Sequence, residues 1–235
     1  LDKNHSFLVL TDVINPNTTY ILSKTFDMTI IPVEEFNPDI ILVTHGHSDH
    51  LGDAMELSNK NNVPVAAIHE ISLFLSKQGI NNIGVNIGGS FIYRGVKFTM
   101  LDAKHSSVLD IVEEPLPAGD AASFLITLED GTKLFHAGDT GLFGDMKTII
   151  GEIYKPDIAL LPIGDKFTMG PFEAALATRW IDSKVAIPMH YNTFPPIEQD
   201  PSIYANFVSQ LNPNIDVVIL NPSEYFEYNP ENYQD

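Results

Sequence analysis

Short apolar runs alternate with stretches of helical period along this chain. That alternation constrains the fold more than any other feature. Ile40-Ile41-Leu42-Val43 is too short for a typical helix and rich in β-branched side chains, so it reads as a buried strand. Leu51, Ala54, Met55 and Ser58 then recur at helical spacing as far as Asn61-Asn62. Val63 to Ile68 is a second β-branched run, and Ile71, Phe74, Leu75 and Gln78 mark a second helix closed by Gly79. Strand, helix, strand, helix is the α/β pattern. With 235 residues, 44% of them hydrophobic and 19% charged, the chain can fill the core that such a pattern needs.

The rest of the chain continues in kind. Phe7 to Leu10 and Tyr20 to Leu22 read as a strand pair around Asn15-Pro16-Asn17. Asn86 to Ser90 reads as a turn between strands at Ile83–Val85 and Phe91–Tyr93, because it lacks the full glycine pattern of a phosphate cradle and no helix follows. Arg94-Gly95 is the hairpin turn before a strand at Val96–Leu101. Residues 106–122 read as a long loop, a feature more often functional than idle in a compact domain. A hairpin of Ser123–Leu128 and Thr132–His136 follows, then a helix over Phe143–Glu152 and a buried strand at Asp157–Ile163. A helix over Phe172–Trp180 starts after Pro171. Val185–Met189 is a strand, Pro201–Leu211 a helix, and Val217–Leu220 and Tyr225–Glu227 the last strands. No linker or low-complexity tract interrupts the chain, so residues 1–235 are expected to form a single domain.

The chemistry concentrates in Thr44-His45-Gly46-His47-Ser48-Asp49-His50. Three histidines and an aspartate fall within six residues, in the loop at the carboxyl end of the first buried strand, where open sheets place their ligands. Imidazole and carboxylate donors suit zinc, manganese or iron. His45 and His47 point the same way in an extended loop and can grip one ion. Asp49 and His50 come a turn later and point elsewhere, so two adjacent ions accommodate all four better than one. A polar turn capped by Asp49 would need no histidines. His105, Asp139 and His190 also fall just past the ends of apolar strands. Each alone has a plain reading as a turn, surface or core residue. At the carboxyl edge of one α/β sheet, however, all seven donors could share one pocket.

Thirteen basic against thirty-one acidic side chains give a net charge of -18, which repels polyanions at long range. Long nucleic acid is therefore a disfavoured partner, although a local basic patch remains compatible with that total. A small-molecule substrate is expected. There are no cysteines, so disulfides and thiolate ligands are excluded, with a lean to a cytoplasmic location. No apolar run approaches the ~20 residues of a membrane span. No signal peptide is visible, and the chain opens on Leu1, so a few residues are expected to precede it. A homo-oligomer is expected on base rates alone.

The series His45-x-His47-x-Asp49-His50, His105, Asp139, His190 resembles the ligand series of the metallo-β-lactamase superfamily. The wording THGHSDHLGDA (44–54), KHSS (104–107), HAGDTGLFGDM (136–146), LPIGDKFTMGP (161–171) and MHYNTFP (189–195) is similar to its branch of metal-dependent hydrolases akin to the ascorbate-6-phosphate lactonase. The similarity runs from about residue 38 to the C terminus. Upstream, Asn4-His5-Ser6 keeps the His-Ser of the family's Gly-His-Ser, and Ser23-Lys24 stands where an Asp-Pro pair is expected. The resemblance implies a four-layer αβ/βα sandwich and two divalent metal ions, with zinc first and manganese or iron as alternatives. It implies that His45, His47 and His105 bind one ion, that Asp49, His50 and His190 bind the other, and that Asp139 bridges them. The implied activity is hydrolysis of a small ester, lactone or amide by a metal-bridging hydroxide, with Asp49 accepting the water's proton. A phosphodiesterase or nuclease on the same site, and a non-catalytic metal-binding protein, are the alternatives. Thr168, Tyr191 and Asn192 lie beside ligand-bearing strand ends and are candidate substrate contacts. His5 and His136 are candidate supports of the ligands. His69, opening a helix, reads as plain surface.

Overall fold

The computed structural model describes residues 38–221, 224 and 226–233. The readings at Phe7–Leu10, Tyr20–Leu22, His5 and Ser23-Lys24 lie outside the described residues. Contacts divide the chain into two compact units, each discontinuous in sequence. Among the described residues, the first runs through Asn86 and resumes over Ser106–Asp120. The second comprises Ile87–His105 and the chain from Ala121 onward.

The first unit is built from β1 (Ile41–Leu42), α1 (Ser48–Leu51), α2 (Ala54–Asn61), β2 (Val65–Ile68), α3 (His69–Lys77) and β3 (Asn82–Val85). Its sheet has the order β1-β2-β3 and is parallel throughout. Every residue of β1 and β2 is buried, as expected of strands covered on both faces. The helix expected from Leu51 is two helices, because the chain turns at Gly52 with φ 28° and ψ -121°, a conformation that excludes a continuous helical ladder. Asn62 ends α2 in the left-handed region, a conformation that asparagine tolerates better than most residues.

The chain next forms β4 (Ser90–Tyr93) and β5 (Val96–Asp102) in the second unit. The expected turn within Asn86–Ser90 falls at Ile87-Gly88, and since β3 pairs with β2 and β4 with β5 it connects two sheets. Two flanking apolar runs do not reveal whether they pair with each other. Arg94 and Gly95, both at positive φ, make the two-residue turn that matches strand twist, as expected. The chain then returns to the first unit for β6 (Val108–Leu109) and β7 (Leu116–Pro117), a short antiparallel ladder within the expected long loop.

The second unit is completed by β8 (Ala122–Thr127), β9 (Lys133–His136), a π-helix over Met146–Tyr154, β10 (Ile158–Pro162), α4 (Pro171–Ile181), β11 (Val185–Met189), α5 (Pro201–Leu211) and β12 (Asp216–Val217). Its seven-stranded sheet has the order β12-β11-β10-β9-β8-β5-β4. Strands β9 to β12 are parallel to one another, and β4, β5, β8 and β9 alternate in direction. The helix expected over Phe143–Glu152 begins later and winds more widely. Gly151 lets this helix approach α4 closely, since a Cβ there would stand 2.2 Å from the Trp180 carbonyl oxygen. The strand expected at Val217–Leu220 is the shorter β12, and Tyr225 of the strand expected at Tyr225–Glu227 lies outside the described residues. After β12, Val218 N–H still donates across to the Ala186 carbonyl (3.0 Å). Phe226 and Tyr228 pack against the core instead of pairing.

That core lies where α4 and α5 meet the parallel strands. Ala174, Ala175 and Ala177 on α4 are fully buried beside Leu160, Leu161 and Ile187 of the sheet, so short side chains let the helix sit close. Thr178 on α4 donates to the Ala174 carbonyl (2.9 Å) and therefore accepts from the fully buried Tyr204 hydroxyl of α5 (2.6 Å). Three parallel strands, β9, β10 and β11, thus present their carboxyl ends at one edge of this sheet, and the loops that carry Asp139 and His190 leave from that edge. Among the described residues no helix is long and apolar enough to cross a membrane.

Candidate metal centre

In the first unit, His45, His47, Asp49 and His50 leave the carboxyl end of β1 together. His45 Nε2 stands 2.9 Å from His47 Nδ1. The His45 ring centroid lies 3.9 Å from that of His50 and 4.6 Å from that of His47. His50 Nε2 is 3.5 Å from Asp49 Oδ2. Thr44 Oγ1 lies 3.0 Å from His45 Nδ1. A proton on Nδ1 shared with that hydroxyl makes Nε2 the lone-pair nitrogen, turned towards His47.

The loop that carries these histidines is clasped from above by the segment after β5. Gly46 N–H donates to Ser107 Oγ (3.2 Å), and Ser106 Oγ is 3.5 Å from His47 Nε2. A Cβ on Gly46 would meet the Ala118 Cβ at 2.6 Å and the Val108 carbonyl oxygen at 2.9 Å, so the residue between the two histidines has to be glycine. The long loop expected at 106–122 therefore serves as a retainer.

In the second unit, one oxygen of Asp139 faces two imidazoles. Oδ2 is 3.3 Å from His190 Nε2 and 3.6 Å from His105 Nε2. Asp139 and His190 are almost wholly buried. These separations are long for hydrogen bonds, whose N···O distances centre on about 2.9–3.0 Å. They match the spacing of two donors on one tetrahedral ion, about 3.3 Å for bonds of about 2.0–2.1 Å. A buried carboxylate also needs compensating charge, which a cation supplies. Donor chemistry and spacing in each unit thus fit a divalent metal.

The loops behind this half are tightly tied. Lys104 N–H donates to Thr140 Oγ1 (2.9 Å), the Thr140 hydroxyl donates to the Gly141 carbonyl (2.8 Å), and Gly141 N–H donates to the Lys104 carbonyl (3.0 Å). Met169 N–H donates to the Thr140 carbonyl (3.0 Å). Thr140, fully buried, so joins the loops on either side of Asp139 and His105 to the loop after β10. His136 is buried, and its Nδ1 accepts the Gly138 N–H (3.1 Å), which closes the turn into Asp139. His190 and Asn192 both adopt left-handed backbone, at φ 54° and 61°, a conformation costly for residues other than glycine. Gly164 makes room for that turn, since a Cβ there would lie 2.4 Å from the His190 carbonyl oxygen.

The candidate substrate contacts are engaged elsewhere or deeply set. Asn192 Oδ1 accepts from Gln199 N–H (2.7 Å), and Thr168 Oγ1 donates to the Met169 carbonyl (3.3 Å). Tyr191 is fully buried, and burial pushes its hydroxyl pKa up. That hydroxyl has no hydrogen-bond partner among the described residues. His69 is exposed at the start of α3, as expected. Thr44, Ser107 and Thr140 position the donors without having been singled out from the sequence. Their adjacency to His45, His105 and Asp139 within the quoted stretches was the available signal.

Comparison with known proteins defines the class. A family model described as the Beta-lactamase superfamily domain matches residues 13–191, further towards the amino terminus than the expected boundary at 38. Among solved structures, a metallo hydrolase of the hyperthermophilic archaeon Ignicoccus hospitalis is 38% identical with a TM-score of 0.75, over 88% of this chain and 87% of that one. A metallo-β-lactamase fold protein of Bacillus subtilis, 14% identical, has a TM-score of 0.61 over 81% and 76% of the two chains, a likeness of fold alone. The fold is that of the metallo-β-lactamases.

Sequence relatives narrow it further. A UPF0173 metal-dependent hydrolase of Methanosphaera stadtmanae is 57% identical over 75% of this chain and 76% of its own. One of Geobacillus thermodenitrificans is 41% identical over 97% of this chain and 94% of its own. The chain belongs to the β-lactamase superfamily, in its family of UPF0173 metal-dependent hydrolases.

Proposed function

We propose that the chain is a dinuclear metal-dependent hydrolase of small esters, lactones or amides, its two units making one catalytic domain over residues 1–235. His45, His47 and His105 would hold one divalent cation, Asp49, His50 and His190 the other, and Asp139 would bridge them. The observation that carries this reading is the single Asp139 oxygen facing both His105 and His190 at 3.6 and 3.3 Å. Donor chemistry favours zinc, with manganese or iron as alternatives. Two cations in such a site supply Lewis acidity and lower the pKa of water to about 7. Asp49, in the first turn of α1, is the candidate acceptor of the proton released when water attacks. Thr44 and Thr140 hold the imidazole and carboxylate donors in place.

Metal content and a substrate panel test this. The protein loaded with zinc is expected to keep two cations per chain. It should turn over chromogenic esters or lactones, and chelator should abolish that turnover. Asp139→Ala should retain fewer than two cations and lose turnover. Two cations and full turnover in that variant would refute the bridge. Cleavage of phosphodiesters alone would replace the acyl substrate with a phosphoryl one.

A further inference from the structure

A groove of about 670 Å³ lies on the second unit, between the π-helix and the carboxyl ends of α4 and α5. Lys147 and Gly151 of the π-helix and Lys155 just past its end, spaced every fourth residue, line one wall. Gly151 leaves a gap between the two lysines, and it is the residue whose Cβ would strike the Trp180 carbonyl oxygen. Arg179 and the half-buried Trp180 of α4 face this wall as lining residues. Three of the thirteen lysines and arginines of the chain thus border one groove, on a protein of net charge -18. None of the three makes an ion pair within 4.0 Å among the described residues. Of the two acids in the lining, Asp182 is engaged by the Asn212 side chain amide (2.9 Å), which leaves Glu152.

Helix dipoles account for part of this charge. Arg179 in the last turn of α4 and Lys155 just past the π-helix are favoured by the negative helix ends. Lys147 sits in the first turn of the π-helix, where the dipole disfavours a cation, so its place needs another reason. The groove is also distinct from the candidate metal donors of this unit. Helix α4 leaves the carboxyl edge of β10 and delivers Arg179 and Trp180 to the amino edge of β11. His190 follows the opposite end of that five-residue strand, about 17 Å away.

We propose that this groove binds a phosphorylated small molecule with a planar body, of the nucleotide class. Lys147, Lys155 and Arg179 take the phosphate, and Trp180 with Leu211 takes the ring. Volume, charge and the apolar wall all suit a ligand of that size.

Trp180 is the sole tryptophan of the chain, so its fluorescence reports on this groove alone. The zinc-loaded full chain is titrated with AMP, adenosine and inorganic phosphate, with and without chelator. Saturable quenching by AMP is expected, with phosphate competing and adenosine much weaker. Arg179→Gln and Lys147→Gln should each weaken AMP by about tenfold or more, while chelator and Asp139→Ala leave its affinity unchanged. Both substitutions fall on exposed side chains, and an unchanged melting temperature verifies that the variants fold. No saturable quenching, equal quenching in both variants, or quenching lost with chelator would overturn the site. Equal affinity for phosphate and AMP would overturn the planar half of the assignment.

Discussion

Thr140→Val removes one hydroxyl and keeps the shape of the side chain. In the folded protein that hydroxyl accepts from Lys104 N–H and donates to the Gly141 carbonyl, in a fully buried position. Two neutral hydrogen bonds of about 0.5–1.5 kcal/mol each are lost, and a partly buried amide is left without its acceptor, so the cost is about 2–3 kcal/mol. Thr140→Ser keeps the hydroxyl and deletes one methyl, which costs about 1 kcal/mol. For a chain of this length these correspond to losses of about 4–12 °C and 2–4 °C in Tm. The same hydroxyl joins the backbone before His105 to the loop of Asp139, so the valine variant should also bind zinc about 10–100-fold more weakly. The serine variant should bind zinc nearly as the parent does. Thermal unfolding and a zinc titration, each on all three proteins, provide the test. If valine and serine lose the same stability and the same zinc affinity, the hydroxyl does not position these donors.

Other consequences can be checked as directly. Gly46→Ala should cost about 1–3 kcal/mol in urea unfolding, because its Cβ would lie 2.6 Å from that of Ala118; adding Ala118→Gly should recover part of the loss. Burial raises the Tyr204 pKa above the ordinary value of about 10. Its stabilising contribution is therefore complete below pH 10 and falls by about 1.4 kcal/mol per pH unit above it, until the folded-state pKa is passed. Tyr204→Phe should make the alkaline limb of the stability–pH curve shallower. That substitution should also lower stability at neutral pH by about 1 kcal/mol, through the hydrogen bond to Thr178.

Much of the secondary structure was legible because it rests on local rules. Val185–Met189 and Pro201–Leu211 run over the residues expected, one a short β-branched and apolar stretch, the other an amphipathic helix opened by proline. Arg94-Gly95 was legible because a two-residue turn at positive φ leaves few alternatives. Pairing was not. The runs on either side of Asn86–Ser90 carry no mark of their partners, and each pairs elsewhere than with the other. The packing of the π-helix on α4 was hidden because it rests on the close approach of Gly151 to Trp180, a contact between residues 29 apart (151 and 180). The donors His45, His47, Asp49 and His50 stand out because few structural needs place three imidazoles and a carboxylate so close together. Thr44, Ser107 and Thr140 do not stand out, since hydroxyl residues are common and their bonds are visible only in three dimensions.

The clasp on Gly46 has a consequence for synthesis. Gly46 and the Ser107 hydroxyl that holds it are 61 residues apart. At about 5–20 residues per second, a ribosome needs roughly 3–12 s to make the intervening chain. Throughout that interval the histidine loop exists without its retainer, and the first unit cannot close until β4 and β5 of the second have been made. Long-range closure of this kind raises contact order and slows folding. If these histidines hold a cation as proposed, its capture in the clasped loop awaits synthesis of the chain as far as Ala118, about half of its length.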